Sequence, residues 1–213
     1  MKALGLIEVY SFTTAVCVAD VMAKAADVKI IAFDRNRPIS PDVPAPLVME
    51  VKIEGVVGAV NAAIEAGVNY AKDKGKYIVS HVIAAPDTQT DKMAYLLDIN
   101  RDKYNKKLPK NLMDYPEENI KDIDGAFGIL EIEGLVAAIE GLDAMVKAAS
   151  VNIVHTEKRL GGRLVTLIVK GNVSAAKAAV EAGQTAALRI GKIFGAEVIA
   201  RPSSELSKFF DIE

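Results

Sequence analysis

Glu8 and Glu131 hold the same place in two similar segments, Ala3-Leu-Gly-Leu-Ile-Glu-Val9 and Ala126-Phe-Gly-Ile-Leu-Glu-Ile132. Paired carboxylates are familiar equipment for general acid and base work. Catalysis would not need the same acid in both copies, however, so a structural hydrogen bond shared by the two segments is the better reading. His81 and His155 are the only histidines, and each lies in or at the end of an apolar run. Neither has an i,i+4 partner or a nearby Asp, Glu or Cys at metal-ligand spacing, so both read as structural. Cys17 is the single cysteine, which excludes an intrachain disulfide and a Cys-rich metal knuckle. One helical turn to either side of it is apolar, and it reads as a small buried hydrophobe. The chain has no nucleophile elbow, P-loop or dinucleotide fingerprint. Asn172-Val-Ser174 fits a glycosylation sequon but is better used as a helix cap. No cofactor and no enzymatic activity are expected.

The remaining chemistry-bearing groups are cations. Arg35, Arg37, Lys158, Arg159 and Arg163 fall in two loops, where a cationic approach for anions and ordinary solvated loop charge explain them equally well. Lys24 and Lys147 each follow an acid by four residues, Asp20 and Asp143. On spacing alone this is a surface i,i+4 pair worth a few tenths of a kcal/mol.

The elements that carry these groups occur twice. Asp20, Met22, Lys24, Ala25, Ala26, Val28 and Ile30 return as Asp143, Met145, Lys147, Ala148, Ala149, Val151 and Ile153. So long a repeat suits a duplicated domain rather than a solenoid unit. In the second copy, a strand at Phe127 to Ile132 precedes a helix with Leu135, Ile139, Leu142, Met145, Val146 and Ala149 on one face. Strands at Val151–Thr156 and Leu164–Val169 flank the hairpin Lys158-Arg-Leu-Gly-Gly-Arg163. A helix from Val173 to about Ile190, a strand at Ala196–Ala200 and a short helix capped by Ser203 or Ser204 complete it. The first copy reads as strands at 3–9, 28–33, 47–53 and 77–84, helices at 12–26 and 56–72, and a short helix to about Leu97. Each copy is therefore β-α-β-β-α-β-α, an α+β ferredoxin-like sandwich. We expect a first domain at 1–99, a linker at 100–124 and a second domain at 125–213.

The offset between the copies falls from 123 to 116 residues across one connection, Asp34-Arg-Asn-Arg-Pro-Ile-Ser-Pro-Asp-Val-Pro-Ala-Pro46. Its four prolines predict an extended, stiff segment. Half of the chain is hydrophobic, but aromatics are few and Trp is absent, which favours close helix-on-sheet packing over aromatic pockets. The net charge of −2 recommends neither nucleic acid nor an anionic membrane as partner. No run approaches the ~20 apolar residues of a membrane span. The N-terminus lacks a signal-peptide pattern, so a cytoplasmic location is expected.

These motifs resemble a known family. Gly128-Ile-Leu-Glu-Ile-Glu-Gly134, Asp143-Ala-Met-Val-Lys-Ala-Ala149, Leu164-Val-Thr-Leu-Ile-Val-Lys-Gly171 and Val198-Ile-Ala-Arg-Pro202 resemble the bacterial microcompartment shell domain, and the pair of copies resembles its tandem-domain, non-permuted members. The resemblance implies a structural shell protein forming trimeric, pseudohexameric tiles that meet edge to edge in the coat of an enzyme-filled organelle. Lys24, Lys147 and Arg201 match tile-edge residues, with Ala85 in place of the second arginine. Arg37, Pro38, Ile39 and Ser40, with Leu160, Gly161 and Gly162, match the hairpins lining a central pore for metabolites. Implied partners are copies of the chain in a homotrimer, other shell proteins, the enclosed enzymes and the solutes that cross. Some tandem members carry an iron–sulfur cluster on pore-loop cysteines, but neither loop here has one. The rival reading is a trimeric small-molecule-sensing regulatory protein of related α+β shape.

Overall fold

Two four-stranded antiparallel sheets, with strand orders β2-β3-β1-β4 and β6-β7-β5-β8, form the frame of the protein. The computed structural model describes residues 2–36, 42–88, 90, 94 and 122–210. The first copy contains β1 (Ala3–Tyr10), α1 (Phe12–Ala25), β2 (Val28–Asn36), β3 (Val48–Gly55), α2 (Val57–Asp73) and β4 (Tyr77–Ile83). The second contains β5 (Ala126–Glu133), α3 (Leu135–Ala148), β6 (Asn152–Glu157), β7 (Leu164–Gly171), α4 (Val173–Ala187) and β8 (Ile193–Ile199), followed by a 3-10 helix, Ser204–Lys208. The β-α-β-β-α-β order holds in both copies, and the short helix expected to end the first copy near Leu97 lies mostly outside the described residues.

Even the irregularities repeat. The central strand of each sheet slips register between Glu8 and Val9 and between Glu131 and Ile132. The outer strands do so between Ile30 and Ala32 and between Ile153 and His155. An extra residue in one strand bends it and increases its twist, so both sheets are bent at matching points.

The strand period of two decides which side chains meet the helices. A Cβ on Gly5 would lie 2.7 Å from Val60 of α2, and one on Gly128 would lie 2.9 Å from Val180 of α4. These glycines let each helix settle against its sheet, and their neighbours Glu8 and Glu131 consequently point to the opposite face. Leu130 and Ile132 belong to a core made of second-copy residues alone. Phe127 and Ile129 join a core that includes Phe12, Val16 and Phe33 of the first copy. The two copies thus share a hydrophobic interior.

The structure amends several expectations. α4 ends at Ala187, and β8 begins at Ile193 and not Ala196. Glu133 N–H donates to Lys192 O at 2.8 Å, drawing the chain into the sheet early, while Gly195 hides the strand periodicity in the sequence. β2 runs on to Asn36, past the expected end at 33. Residues 42–46 form successive bends rather than an extended rod. Five of the six phenylalanines gather in one place. Phe12 meets Phe33 and Phe210, Phe33 meets Phe209, and Phe127 meets Phe210, all edge to face with centroids 4.8 to 6.5 Å apart. Most of the expected linker lies outside the described residues, as do Arg37, Pro38, Ile39 and Ser40.

Candidate functional site: the joint between the copies and the hairpin loops

The N-terminus of α1 is seated on the second sheet. Its Ncap, Ser11, has a positive φ of 79° and accepts from Thr14 N–H through Oγ. The same hydroxyl donates to the Glu131 carboxylate, which also accepts from Phe12 N–H at 3.2 Å and Thr13 N–H at 3.1 Å. An acid at a helix N-terminus satisfies unpaired amides and is favoured by the helix dipole. Here the helix belongs to one copy and the acid to the other. The expectation that Glu8 and Glu131 both make this bond holds within the chain only for Glu131: no hydrogen bond reaches the Glu8 carboxylate among the described residues.

Further contacts close the joint. A Cβ on Gly195 would lie 2.6 Å from Thr13 Cβ, so only glycine lets β8 pass under α1. Lys76 Nζ donates to Phe194 O and Lys74 pairs with Glu197, each at 2.5 Å. The C-terminal segment then folds back over the first copy. Ser203 N–H donates to Asp20 at 2.7 Å, and Ile30 N–H donates to Glu205 at 2.8 Å. Leu206, Phe209 and Phe210 are buried with Phe12 and Phe33. Each buried Phe contributes roughly 1.5–3 kcal/mol by transfer from water, so the joint is a strong one.

The hairpins of the two copies lie side by side. Arg35 Nη1 donates to Arg159 O at 2.7 Å and Leu160 O at 3.1 Å. Pro46 packs within 3.3 Å of where a Gly162 Cβ would be. Leu160 is partly buried against the shared core, while Gly161 and Gly162 adopt positive φ at the exposed turn. Beneath them Arg159 pairs with Glu157 at 3.1 Å, and His155 Nε2 lies 3.8 Å from the same carboxylate. Burial would raise the pKa of Glu157, but the neighbouring His155 ring and the hydrogen bonds from Arg159 outweigh it and hold the acid at about 2. His155 also lies against Phe210, with centroids 5.2 Å apart. His81 is exposed on β4.

The residues expected at an edge are all exposed. Lys24 and Lys147 pair with Asp20 and Asp143 at 2.5 and 2.6 Å, and Arg201 and Ala85 follow the last strand of each copy. Cys17 is buried in α1, where desolvation pushes its thiol up to about 12 and leaves it an inert hydrophobe.

One asymmetry stands out between the copies. Phe12, Thr13 and Val16 of α1 are 0%, 1% and 0% exposed, whereas their counterparts on α3, Leu135, Val136 and Ile139, are 56%, 71% and 61% exposed. On the following strand Ile30 is buried and its counterpart Ile153 is exposed. The first copy's surface is covered by the second copy, and the second copy's matching surface is open. Sequence reasoning missed Ser11, Thr13, Lys76 and Gly195 as joint residues. The available signal was mismatch within the repeat, with Ser11 against Gly134 and Gly195 against Val79.

Duplicated sheets locked side by side through unlike surfaces define a tandem α+β protein with one head-to-tail joint made within the chain. Residues 3–86 and 126–202 each match the BMC domain, and the chain belongs to that family, with two domains in tandem. It is 34% identical over 205 residues to the carboxysome assembly protein CcmO of Synechococcus elongatus, covering 96% of this chain and 67% of that one. It is 51% identical over 87 residues to the bacterial microcompartment shell protein EutM of Salmonella typhimurium, covering 41% of this chain and 90% of that one. A crystal structure of a microcompartment protein from Desulfitobacterium hafniense DCB overlays with a TM-score of 0.38 at 22% identity, covering 98% of this chain and 99% of that one, too loosely to add to the assignment.

Proposed function

We propose that this chain is a structural shell protein of a bacterial microcompartment in the cytoplasm, with domains at 1–99 and 125–213 and a linker at 100–124. Three copies close into a pseudohexameric tile, and tiles meet edge to edge with one another and with other shell proteins. The observation that carries the trimer is the open face of α3. Leu135, Val136 and Ile139 stand exposed where Phe12, Thr13 and Val16 are buried by the neighbouring domain. A surface covered in one copy and bare in the other is half of a head-to-tail contact. Such contacts either close into rings or extend as filaments. With two domains per chain, a six-position ring closes at three chains.

In that ring the β2–β3 and β6–β7 hairpins gather about the axis. The contact of Arg35 with Arg159 and Leu160 supports neighbouring hairpins lying together there. Leu160, Gly161 and Gly162 alternate around the aperture with the stretch holding Arg37, Pro38, Ile39 and Ser40. Small metabolites cross between them, and no covalent chemistry is assigned to the chain. Lys24, Lys147 and Arg201 face the neighbouring tile, and Ala85 leaves each tile with three arginine anchors. Light scattering tests the ring: a mass of three chains supports it, and a monomer at all concentrations defeats it. Flux of an acid against a matched neutral solute tests the cationic approach, which equal flux would exclude.

A further inference from the structure

We propose that Glu8 does between chains what Glu131 does within one: it accepts hydrogen bonds from the first free amides of α3, Leu135 and Val136, in the neighbouring subunit. The inference rests on the trimeric reading and names the residue that locks its joint.

Glu8 and Glu131 lie at the same slip of register on the central strand of their sheets, facing away from their own helices. Glu131 is spent on α1. Glu8 opens instead into a cleft of about 260 Å³ lined by Asp34, Arg35, Asn36 and Glu50. The matching helix end is also waiting. Gly134 has a φ of 94°, close to the 79° of Ser11, so the chain enters both helices in the same way. No side chain caps α3, whose N-terminal residues are exposed. The surroundings match as well. Val79, the counterpart of Gly195, flanks Glu8 across β1–β4 and is 50% exposed. Val136, the counterpart of Thr13, is the side chain it would meet. Lys192 is the counterpart of Lys76, and in the trimer it would be offered the backbone of the next chain's β4.

The two joints would differ in a defined way. Within the chain, Thr13 Oγ1 is buried without a hydrogen-bond partner and abuts Gly195. Between chains, Val79 against Val136 removes that hydroxyl and adds apolar contact. Gly134 offers no hydroxyl to replace Ser11, so Glu8 relies on backbone donors. The covalently tethered joint carries the buried mismatch, and the free joint is the more apolar one.

The test compares full-length wild type, Glu8→Ala, the volume-keeping Glu8→Gln and Val136→Lys. Mass is read by light scattering over a dilution series, and amide exchange at Leu135 and Val136 by mass spectrometry. Loss of charge-assisted hydrogen bonds at each joint should raise the concentration at half-dissociation at least about tenfold for Glu8→Ala, and less for Glu8→Gln. Protection of the two amides in the wild-type trimer should weaken in both variants. Val136→Lys should be monomeric. A wild-type trimer with unprotected amides at Leu135 and Val136, or a Glu8→Ala trimer that dissociates like wild type, overturns the assignment of Glu8 and leaves the trimer standing. A monomeric wild type instead overturns the trimer itself.

Discussion

Ser11 and Glu131 are 120 residues apart in the chain and meet in a buried side-chain hydrogen bond across the joint of the two domains. The same carboxylate holds the amides of Phe12 and Thr13. One acid thus aligns a helix of the first domain on a sheet of the second, and this contact sets the geometry of the pair.

Replacing Glu131 by Ala should therefore cost stability well beyond a surface change. A buried hydrogen bond to a charged group contributes about 1.5–3 kcal/mol, and removing the acceptor leaves the amides unsatisfied. We expect a loss of about 2–4 kcal/mol for Glu131→Ala and a smaller one for Glu131→Gln, which keeps a carbonyl acceptor. Urea unfolding of the full chain measures both, and a midpoint unchanged for Glu131→Ala would contradict the role.

Gly195→Val should open the joint from the other side. Thr13 Cβ lies 2.6 Å from the position of the new Cβ, and overpacking of this kind costs about 1–3 kcal/mol. Combining Gly195→Ala with Thr13→Gly should recover part of the loss suffered by Gly195→Ala alone. A thermal melting series on the two single variants and the double variant would show whether the sites are coupled.

The Glu157 cluster predicts an acid-sensitive contribution to stability. Its folded pKa of about 2 lies below the ordinary 4.5, so the ionised acid stabilises the fold above pH 4.5, and this contribution fades as the pH falls towards 2. The difference in urea midpoint between wild type and Glu157→Gln should be full at pH 6 and clearly smaller at pH 3. A difference independent of pH would mean that His155 and the hydrogen bonds from Arg159 do not hold the acid down.

Lys147→Asp and Arg201→Ala should separate assembly from folding. Lys147 is exposed and its pair with Asp143 is a surface i,i+4 contact, so its loss should move the melting temperature little. Electron microscopy should show trimers that no longer form extended layers. Normal layers from both variants would remove these residues from the tile edge.

How far the sequence reaches can be judged from particular residues. Strand and helix patterning was legible because it depends on local periodicity, and capping of α4 by Asn172 needed only its own next turn. The terminal 3-10 helix capped by Ser203 was readable for the same reason. β8 was placed three residues late because Gly195 breaks its pattern, and that glycine is explained only by Thr13 on another domain. The gathering of Phe12, Phe33, Phe127, Phe209 and Phe210 was invisible because composition counts aromatics without saying which will meet.

Alone, the amino-acid sequence determined a duplicated α+β domain and its element order, since these follow from periodicity, turn chemistry and repetition along the chain. Only the tertiary structure decided that Glu131 serves the other domain's helix, and that α1 is covered while α3 stays open. Glu8 and Glu131 occupy near-identical local sequence, and so do the starts of their helices. What distinguishes them is which neighbour arrives through space, and a single chain can cover only one of two equivalent surfaces.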